Sequence, residues 1–295
     1  MRISAEELRD RASRAWEMQK DCNVCAQDCH VKRLEGELGF CRAPGKAVIS
    51  NYGSHPGEED VLSGTKGSGT IFFAHCNLAC IFCQNCEISQ HDEGREVSTR
   101  ELGDIMLELQ CMGCHNINLV SSSHFMPAIL RALVPARQEG LSIPVVYNTG
   151  GYDALHTLKL LDGVIDIYMP DIKFGSNEMG EKYSRAPHYF DTVKKAVREM
   201  YRQVGDLKTD NRGLATQGLL VRHLVLPGDI SRTRAVMEFL AQEISPATYV
   251  NVMEQYYPAH KASKYPEINR RITAGEFDRA LEIAREEGLD VVYKW

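Results

Sequence analysis

Gly69-Thr-Ile-Phe-Phe-Ala-His-Cys-Asn-Leu-Ala-Cys-Ile-Phe-Cys-Gln-Asn85 changes character halfway along. Residues 69–74 are a short apolar run of strand length. Cys76, Cys80 and Cys83 follow at once, on the loop that must leave that strand. Thiolates are soft ligands suited to iron–sulfur clusters, and a [4Fe–4S] cube asks for one ligand per iron. Three closely spaced cysteines hold three irons and leave the fourth open, much as catalytic zinc sites keep an open position.

The same texture repeats towards the carboxyl end. Strands are expected at 69–74, 116–121, 144–148, 165–169, 219–225 and 249–253, with helical patterns at 99–109, 127–139, 154–161, 191–204 and 232–244. This alternation gives an α/β fold with a parallel sheet. The expected architecture is a partial (β/α)6 TIM-like barrel with a cysteine-rich N-terminal extension; an open doubly wound sheet is the alternative. Both put the reactive site at the carboxyl ends of the strands. A helix at 274–287 and a strand at 289–293 should follow. Residues 21–68 are rich in Cys, Gly, Pro and charge, show little periodicity, and read as loop-rich. The expected division is 1–68, an amino-terminal helix and cysteine-rich metal-binding lobe; 69–270, the barrel; and 271–295, a carboxyl-terminal helix and strand packed on it.

A hydrophobic content of 43% over 295 residues is enough for a sizeable core. The net charge of −6 argues against bulk attraction to nucleic acid or an anionic membrane. No apolar run is long enough to span a bilayer, and the amino terminus Met1-Arg-Ile-Ser-Ala-Glu-Glu-Leu8 is charged and helix-like, unlike a signal peptide. A soluble, cytoplasmic protein is expected, where ten cysteines point to metal binding rather than disulfides.

Read by chemistry alone, Cys76, Cys80 and Cys83 also fit a zinc knot or an electron-transfer cluster, with Cys86 as a fourth ligand. The preceding strand and the aromatic Phe82 favour another reading: the C-x3-C-x2-C spacing resembles the signature of the radical S-adenosylmethionine (SAM) superfamily. Within it, the chain is similar to a branch near the pyruvate formate-lyase-activating enzymes, through His115-Asn-Ile-Asn-Leu119, Tyr183-Ser184, Glu199-Met-Tyr-Arg-Gln-Val-Gly205 and Val221-Arg-His-Leu-Val-Leu-Pro-Gly228.

The resemblance implies that the open iron chelates SAM. Reductive cleavage would then give methionine and a 5′-deoxyadenosyl radical that abstracts hydrogen from a substrate. It implies a one-electron donor such as flavodoxin or ferredoxin, and a protein substrate, a glycyl-radical enzyme. Phe82 and Asn85 would lie by the cofactor, and Lys173 of Asp171-Ile-Lys173 would bind its carboxylate. Ser121-Ser122-Ser123 replace a Gly-Gly-Glu run, Asn148 and Thr149 stand in an altered Asp-Thr-Asn-Gly pattern, and Glu254-Gln255 replace a histidine; Ser121, Ser122, Ser123, Asn148, Thr149 and Gln255 remain candidate cofactor contacts. His75, His115 and His124 read as structural, Cys111 and Cys114 as packing residues, and Cys86 as a bystander.

Cys22-x2-Cys25-x3-Cys29-x11-Cys41 is a second complete thiolate set. Structural zinc and an auxiliary [4Fe–4S] cluster both fit, and the departure from paired C-x2-C units leans towards iron–sulfur. Alternative functions are a radical enzyme modifying a small molecule or peptide, and a noncatalytic iron–sulfur electron carrier or metal scaffold.

Overall fold

In the computed structural model, which describes residues 3–91 and 93–292, the strands are β1 (Ala47–His55), β2 (Ser68–Phe73), β3 (Arg95–Val97), β4 (Ile117–Val120), β5 (Val145–Thr149), β6 (Ile167–Pro170), β7 (Lys208–Thr209), β8 (Ala215–Leu224), β9 (Tyr249–Met253) and β10 (Val291–Val292). They form one sheet in the order β10-β9-β8-β6-β5-β4-β2-β1-β3, with β7 paired to β8. β2, β4, β5, β6, β8, β9 and β10 run parallel, and β1 and β3 add an antiparallel margin. Among the described residues nothing pairs β3 with β10, so the barrel is unclosed. The expected α/β partial barrel is present, each expected strand lying within a few residues of its place. The strand expected at 289–293 is the short β10; Tyr293 lies outside the described residues, as do Met1 and Arg2 of the amino-terminal stretch.

The helices are α1 (Ala5–Glu17), α2 (Asp60–Ser63), α3 (Cys86–Gln90), α4 (Thr99–Cys111), α5 (Met126–Gln138), α6 (Leu155–Leu160), α7 (Asn177–Ser184), α8 (Tyr189–Val204), α9 (Thr233–Phe239) and α10 (Ala274–Glu286). The pattern at 232–244 resolves into α9 and a π-helical continuation, Leu240–Ile244. Apolar spacing dictates how the long helices pack. In α8, Val193, Ala196, Val197, Met200 and Val204 share one buried stripe. α4 starts where Ser98 accepts a hydrogen bond from the Glu101 N–H, and α10 starts with a full capping box between Thr273 and Glu276. β5 and β6 are buried along their whole length, by helices on the outer face and by residues inside the barrel on the other. No helix among the described residues is long and apolar enough to cross a membrane.

The loop-rich reading of 21–68 needs correction, because residues 47–55 form β1. Only Ala47, Val48 and Ile49 of that strand are buried and its second half is largely exposed, so no alternation marked it in the sequence. β1 pairs with β2 antiparallel from Ile49, opposite Phe73, to His55, opposite Ser68. The chain therefore turns back beneath the amino ends of the parallel strands. There Leu62 of α2 is fully buried among Val146, Ile167, Met169 and Leu220, while Asn116 Nδ2 donates to the Leu62 carbonyl at 2.8 Å. This segment plugs the floor of the barrel.

Truncating the plug should open a cavity. Leu62→Ala is expected to destabilise the fold by about 2–5 kcal/mol. Met112→Ala, at an exposed position, should stay within about 0.5 kcal/mol of the parent. Urea unfolding midpoints check both, and equal midpoints would contradict the plug.

Candidate active site

The carboxyl ends of the strands surround a cavity of about 570 Å³. Cys76, Cys80 and Cys83, with Phe82 and Asn85, face it from the loop after β2. Ser121 contributes from the end of β4, Asn148 and Thr149 from β5, Asp171 and Lys173 from beyond β6, and Gln255 from beyond β9. Ser122 and Ser123 are buried away from its wall. The Ser123 hydroxyl lies 2.9 Å from that of Thr149, which donates to Asp153 Oδ2 at 2.6 Å; Tyr147 donates to Asp153 Oδ1 at 2.7 Å. That network braces the ends of β4 and β5.

Local backbone bonds hold the cysteine loop. The N–H groups of Ala79 and Ile81 donate to the carbonyls of Ser184 and Tyr183, and the Lys261 N–H donates to the Ile81 carbonyl. Phe82 packs edge-on against Phe174 and Tyr256. Each sulfur has a polar neighbour: the Leu78 N–H at 3.4 Å from Cys76, the Ser184 hydroxyl at 3.0 Å from Cys80, and the Ser89 hydroxyl at 3.2 Å from Cys83. Burial pushes the Cys76 thiol up to about 12 and the Cys80 thiol up to about 11. Such thiols stay protonated until a metal displaces the proton. Among the described residues no three His, Cys, Asp or Glu groups converge as a single ion would require. Three soft donors on the wall of one cavity, each with a polar neighbour, suit iron–sulfur ligation. Cys86 Sγ points to Glu87 Oε1 and is off the cavity wall.

Across the cavity, Arg222 of β8 organises the charges. Its Nε donates to Asp171 Oδ1 at 2.8 Å, its Nη1 to Glu58 Oε1 at 3.2 Å and its Nη2 to Asn148 Oδ1 at 3.1 Å. Lys173 donates to Asp171 Oδ2. Burial alone would push the Asp171 carboxyl up, but the Arg222 guanidinium and the Lys173 ammonium outweigh it and hold the carboxyl below its usual range. Burial likewise works against the Lys173 ammonium, and Asp171 more than restores it. Both groups stay charged. The Lys173 backbone N–H is fixed by the Tyr189 hydroxyl at 2.9 Å. Tyr189 reaches it because Gly180 of α7 lies beneath; a Cβ there would come within 2.1 Å of Tyr189 Cβ.

Sequence reasoning missed Glu58, Glu59, Arg222 and Asn251, all on the cavity wall. Asn118 Nδ2 donates to Glu58 Oε2, and Asn251 Nδ2 to Glu59 Oε1, both at 2.7 Å. The run Pro56-Gly-Glu-Glu-Asp60 resembles a solvated turn, and the one available signal was an arginine inside the apolar strand of Val221 and Leu224. His124 is off the wall: its Nε2 lies 2.9 Å from the Ala74 carbonyl, and burial pushes it down to about 3, so the ring is neutral.

The amino-terminal cysteines share one compact loop. Cys22, Cys25 and Cys41 are buried and Cys29 partly so. Burial pushes the Cys25 thiol up, and the neighbouring Cys41, Cys22 and Cys29 push it further. The Phe40 N–H donates to Cys29 Sγ at 3.4 Å, and left-handed turns at Asp28, His30 and Arg42 curl the chain around the sulfurs. Gln27 Nε2 donates to the Asn77 carbonyl at 2.9 Å, tying this loop to the one that carries Cys76 and Cys80.

Residues 70–212 match the family model of the Radical SAM superfamily. Over 282 residues the chain is 35% identical to "Uncharacterized protein MJ0674" of Methanocaldococcus jannaschii, covering 93% of this chain and 77% of that one. A second protein of that organism, "Uncharacterized protein MJ0808", is 23% identical over 292 residues, covering 92% and 80%. In fold, the chain is similar to a radical SAM methyltransferase from Sphaerobacter thermophilus (TM-score 0.50, 12% identity, 77% of this chain and 66% of that one). It is also similar to Streptococcus suis SuiB bound to S-adenosylmethionine (TM-score 0.53, 11% identity, 75% of this chain), of which it spans 48%. SuiB has also been solved bound to its precursor peptide SuiA. With the unclosed parallel barrel and three cysteines at the head of its first parallel strand, these matches establish that the chain belongs to the radical SAM superfamily.

Proposed function

We propose that Cys76, Cys80 and Cys83 hold a site-differentiated [4Fe–4S] cluster, and that SAM occupies the adjoining cavity. The observation that carries this reading is the meeting of three cysteine sulfurs, one buried and two partly so and each with a polar neighbour, with a charged lysine on the wall of one cavity. When bound, the cluster supplies the electron that cleaves the S–C5′ bond of SAM, giving methionine and a 5′-deoxyadenosyl radical that takes hydrogen from the substrate. The protein's own groups bind, orient and exclude water. Lys173 pairs with the methionyl carboxylate while Asp171 and Tyr189 fix its position. Asn85, Ser121, Asn148, Thr149 and Gln255 offer hydrogen bonds to the rest of the cofactor, and Phe82 closes the loop against bulk solvent. The electron comes from a small one-electron donor such as flavodoxin or ferredoxin.

The substrate is a polypeptide in this reading: a glycyl-radical enzyme, by the likeness to the activating enzymes, or a peptide, as SuiB binds. The amino-terminal loop holds an auxiliary [4Fe–4S] cluster on Cys22, Cys25, Cys29 and Cys41. Four neighbouring thiols whose spacing departs from paired C-x2-C units support a cluster over a lone zinc ion.

Reduced, reconstituted protein should convert SAM to 5′-deoxyadenosine, measured by chromatography. Cys80→Ala should abolish the product; no product from the parent with its cluster intact would sink the assignment. Lys173→Ala should weaken SAM binding about tenfold while leaving the visible spectrum of the cluster unchanged. Metal analysis after anaerobic purification should give about eight irons per chain, and about four irons with one zinc would assign the amino-terminal loop to zinc.

A further inference from the structure

The pair Tyr183-Ser184, conspicuous in the sequence, takes no part in the cavity wall, and its surroundings tie it to the cysteine loop instead. Ser184 closes α7, and Arg185 after it adopts a left-handed conformation (φ 54°) that ends the helix there. The carbonyls of Tyr183 and Ser184 receive the N–H groups of Ile81 and Ala79, so the serine is set against the loop by its own backbone. Tyr183 is held in turn, its hydroxyl donating to Glu267 Oε1 at 2.7 Å and its ring stacking on Phe174. Ser184 is fully buried, and its hydroxyl, 3.0 Å from Cys80 Sγ, has no other hydrogen-bond partner among the described residues.

Ser89 of α3 stands in the same relation to Cys83, with its hydroxyl 3.2 Å from Sγ, but it is partly exposed. Cys76 receives the Leu78 backbone N–H. Between a hydroxyl and a free thiol either atom can donate. A cysteine that ligates iron has given up its proton, so the hydroxyl alone donates and the sulfur accepts. Hydrogen bonds to sulfur are among the determinants of a cluster's reduction potential. Uptake of one electron adds a negative charge that spreads onto the sulfurs, and an O–H dipole aimed at a sulfur stabilises this reduced form more than the oxidised one. Burial acts in the opposite sense, since a further charge is costly where water is excluded. The same low dielectric enlarges the effect of each dipole, which ranks the buried Ser184 above the partly exposed Ser89.

We propose that Ser184 and Ser89 are positioning residues for electron uptake: their hydroxyls donate to Cys80 Sγ and Cys83 Sγ and raise the reduction potential of the cluster held there. In that step the cluster gains one electron, the one-electron donor loses one, and no proton moves. The assignment rests on the reading of Cys76, Cys80 and Cys83 as ligands of a [4Fe–4S] cluster.

The test titrates reconstituted holoenzyme with dithionite through redox mediators. Reduction is followed by electron paramagnetic resonance, on the signal that changes when SAM is added. At a fixed applied potential, Ser184→Ala should lower the ratio of reduced to oxidised cluster about tenfold, a midpoint shift of about −59 mV for one electron. Ser89→Ala should lower that ratio about threefold, and Ser89→Thr, which keeps the hydroxyl, should match the parent. An unchanged midpoint in Ser184→Ala protein that retains the parent's iron would overturn the assignment, because a serine that only packs alters the unfolding midpoint and leaves the potential alone. If Ser184→Ala does not retain its cluster, the Ser89 pair decides: a shift in the alanine variant alone supports the assignment, and equal midpoints in Ser89→Ala, Ser89→Thr and the parent refute it. Iron in Cys80→Ala is scored separately. Loss of about four irons upholds the cluster reading, so that unchanged midpoints in the serine variants refute only the role of the hydroxyls. Full iron with an unchanged signal in Cys80→Ala refutes the cluster reading itself, and the role of the hydroxyls with it.

Discussion

A guanidinium inside a barrel is tolerable only when its surroundings are built to receive it, and the cavity of this protein is arranged around that requirement at Arg222. Its side chain is 16% exposed. Burial works against its charge, but Asp171, Glu58 and Glu59 hold it firmly cationic. The acceptors come from separate parts of the chain: Asp171 beyond β6, Asn148 on β5, and Glu58 on the plug. Each fixes the orientation of the others. Asp171 then presents its second oxygen to Lys173, so the lysine is aimed by a carboxylate that Arg222 itself orients. Removing one member leaves the remaining charges buried without compensation, so these residues act as a unit and their effects do not add.

Much of the frame was legible because parallel strands buried on both faces leave short apolar runs, and because a C-x3-C-x2-C loop after such a run is a specific pattern. β5 and the loop of Cys76, Cys80 and Cys83 stand where the sequence suggests. β1 was not legible, since its second half faces outward and no alternation survives. Glu58 and Glu59 were hidden for the opposite reason: acidic residues after Pro-Gly look like a surface turn, and only the three-dimensional return of the chain brings them beneath the barrel. Ser184 belonged to a stretch already conspicuous for its likeness to other sequences, but its meaning needed the geometry that sets its hydroxyl beside Cys80. Ser122 and Ser123 illustrate a limit of pattern matching. Neighbours of a lining residue on a tight loop point elsewhere, here into packing and an internal hydrogen-bond network.

The amino-terminal cysteine loop is more than an appendage in this arrangement. Besides the bond from Gln27 to the Asn77 carbonyl, Thr157 donates to the Val24 carbonyl, and Arg33 donates to the carbonyl of His124. The loop is thereby anchored to the ends of the same strands that carry the cavity.

The plug also lies outside the segment that carries the family pattern. The shared family pattern spans residues 70–212, which include the cysteine loop, Asp171 and Lys173, whereas Glu58, Glu59, Arg222 and Asn251 all lie outside it. The cysteine loop lies in the common segment and the floor in its flanks. The floor is set by one turn before the first parallel strand and by two side chains on β8 and β9, whereas the cysteine loop and Lys173 belong to the segment between. A change in the turn at 56–60 would therefore remodel the floor of the cavity without touching the cysteine loop above it.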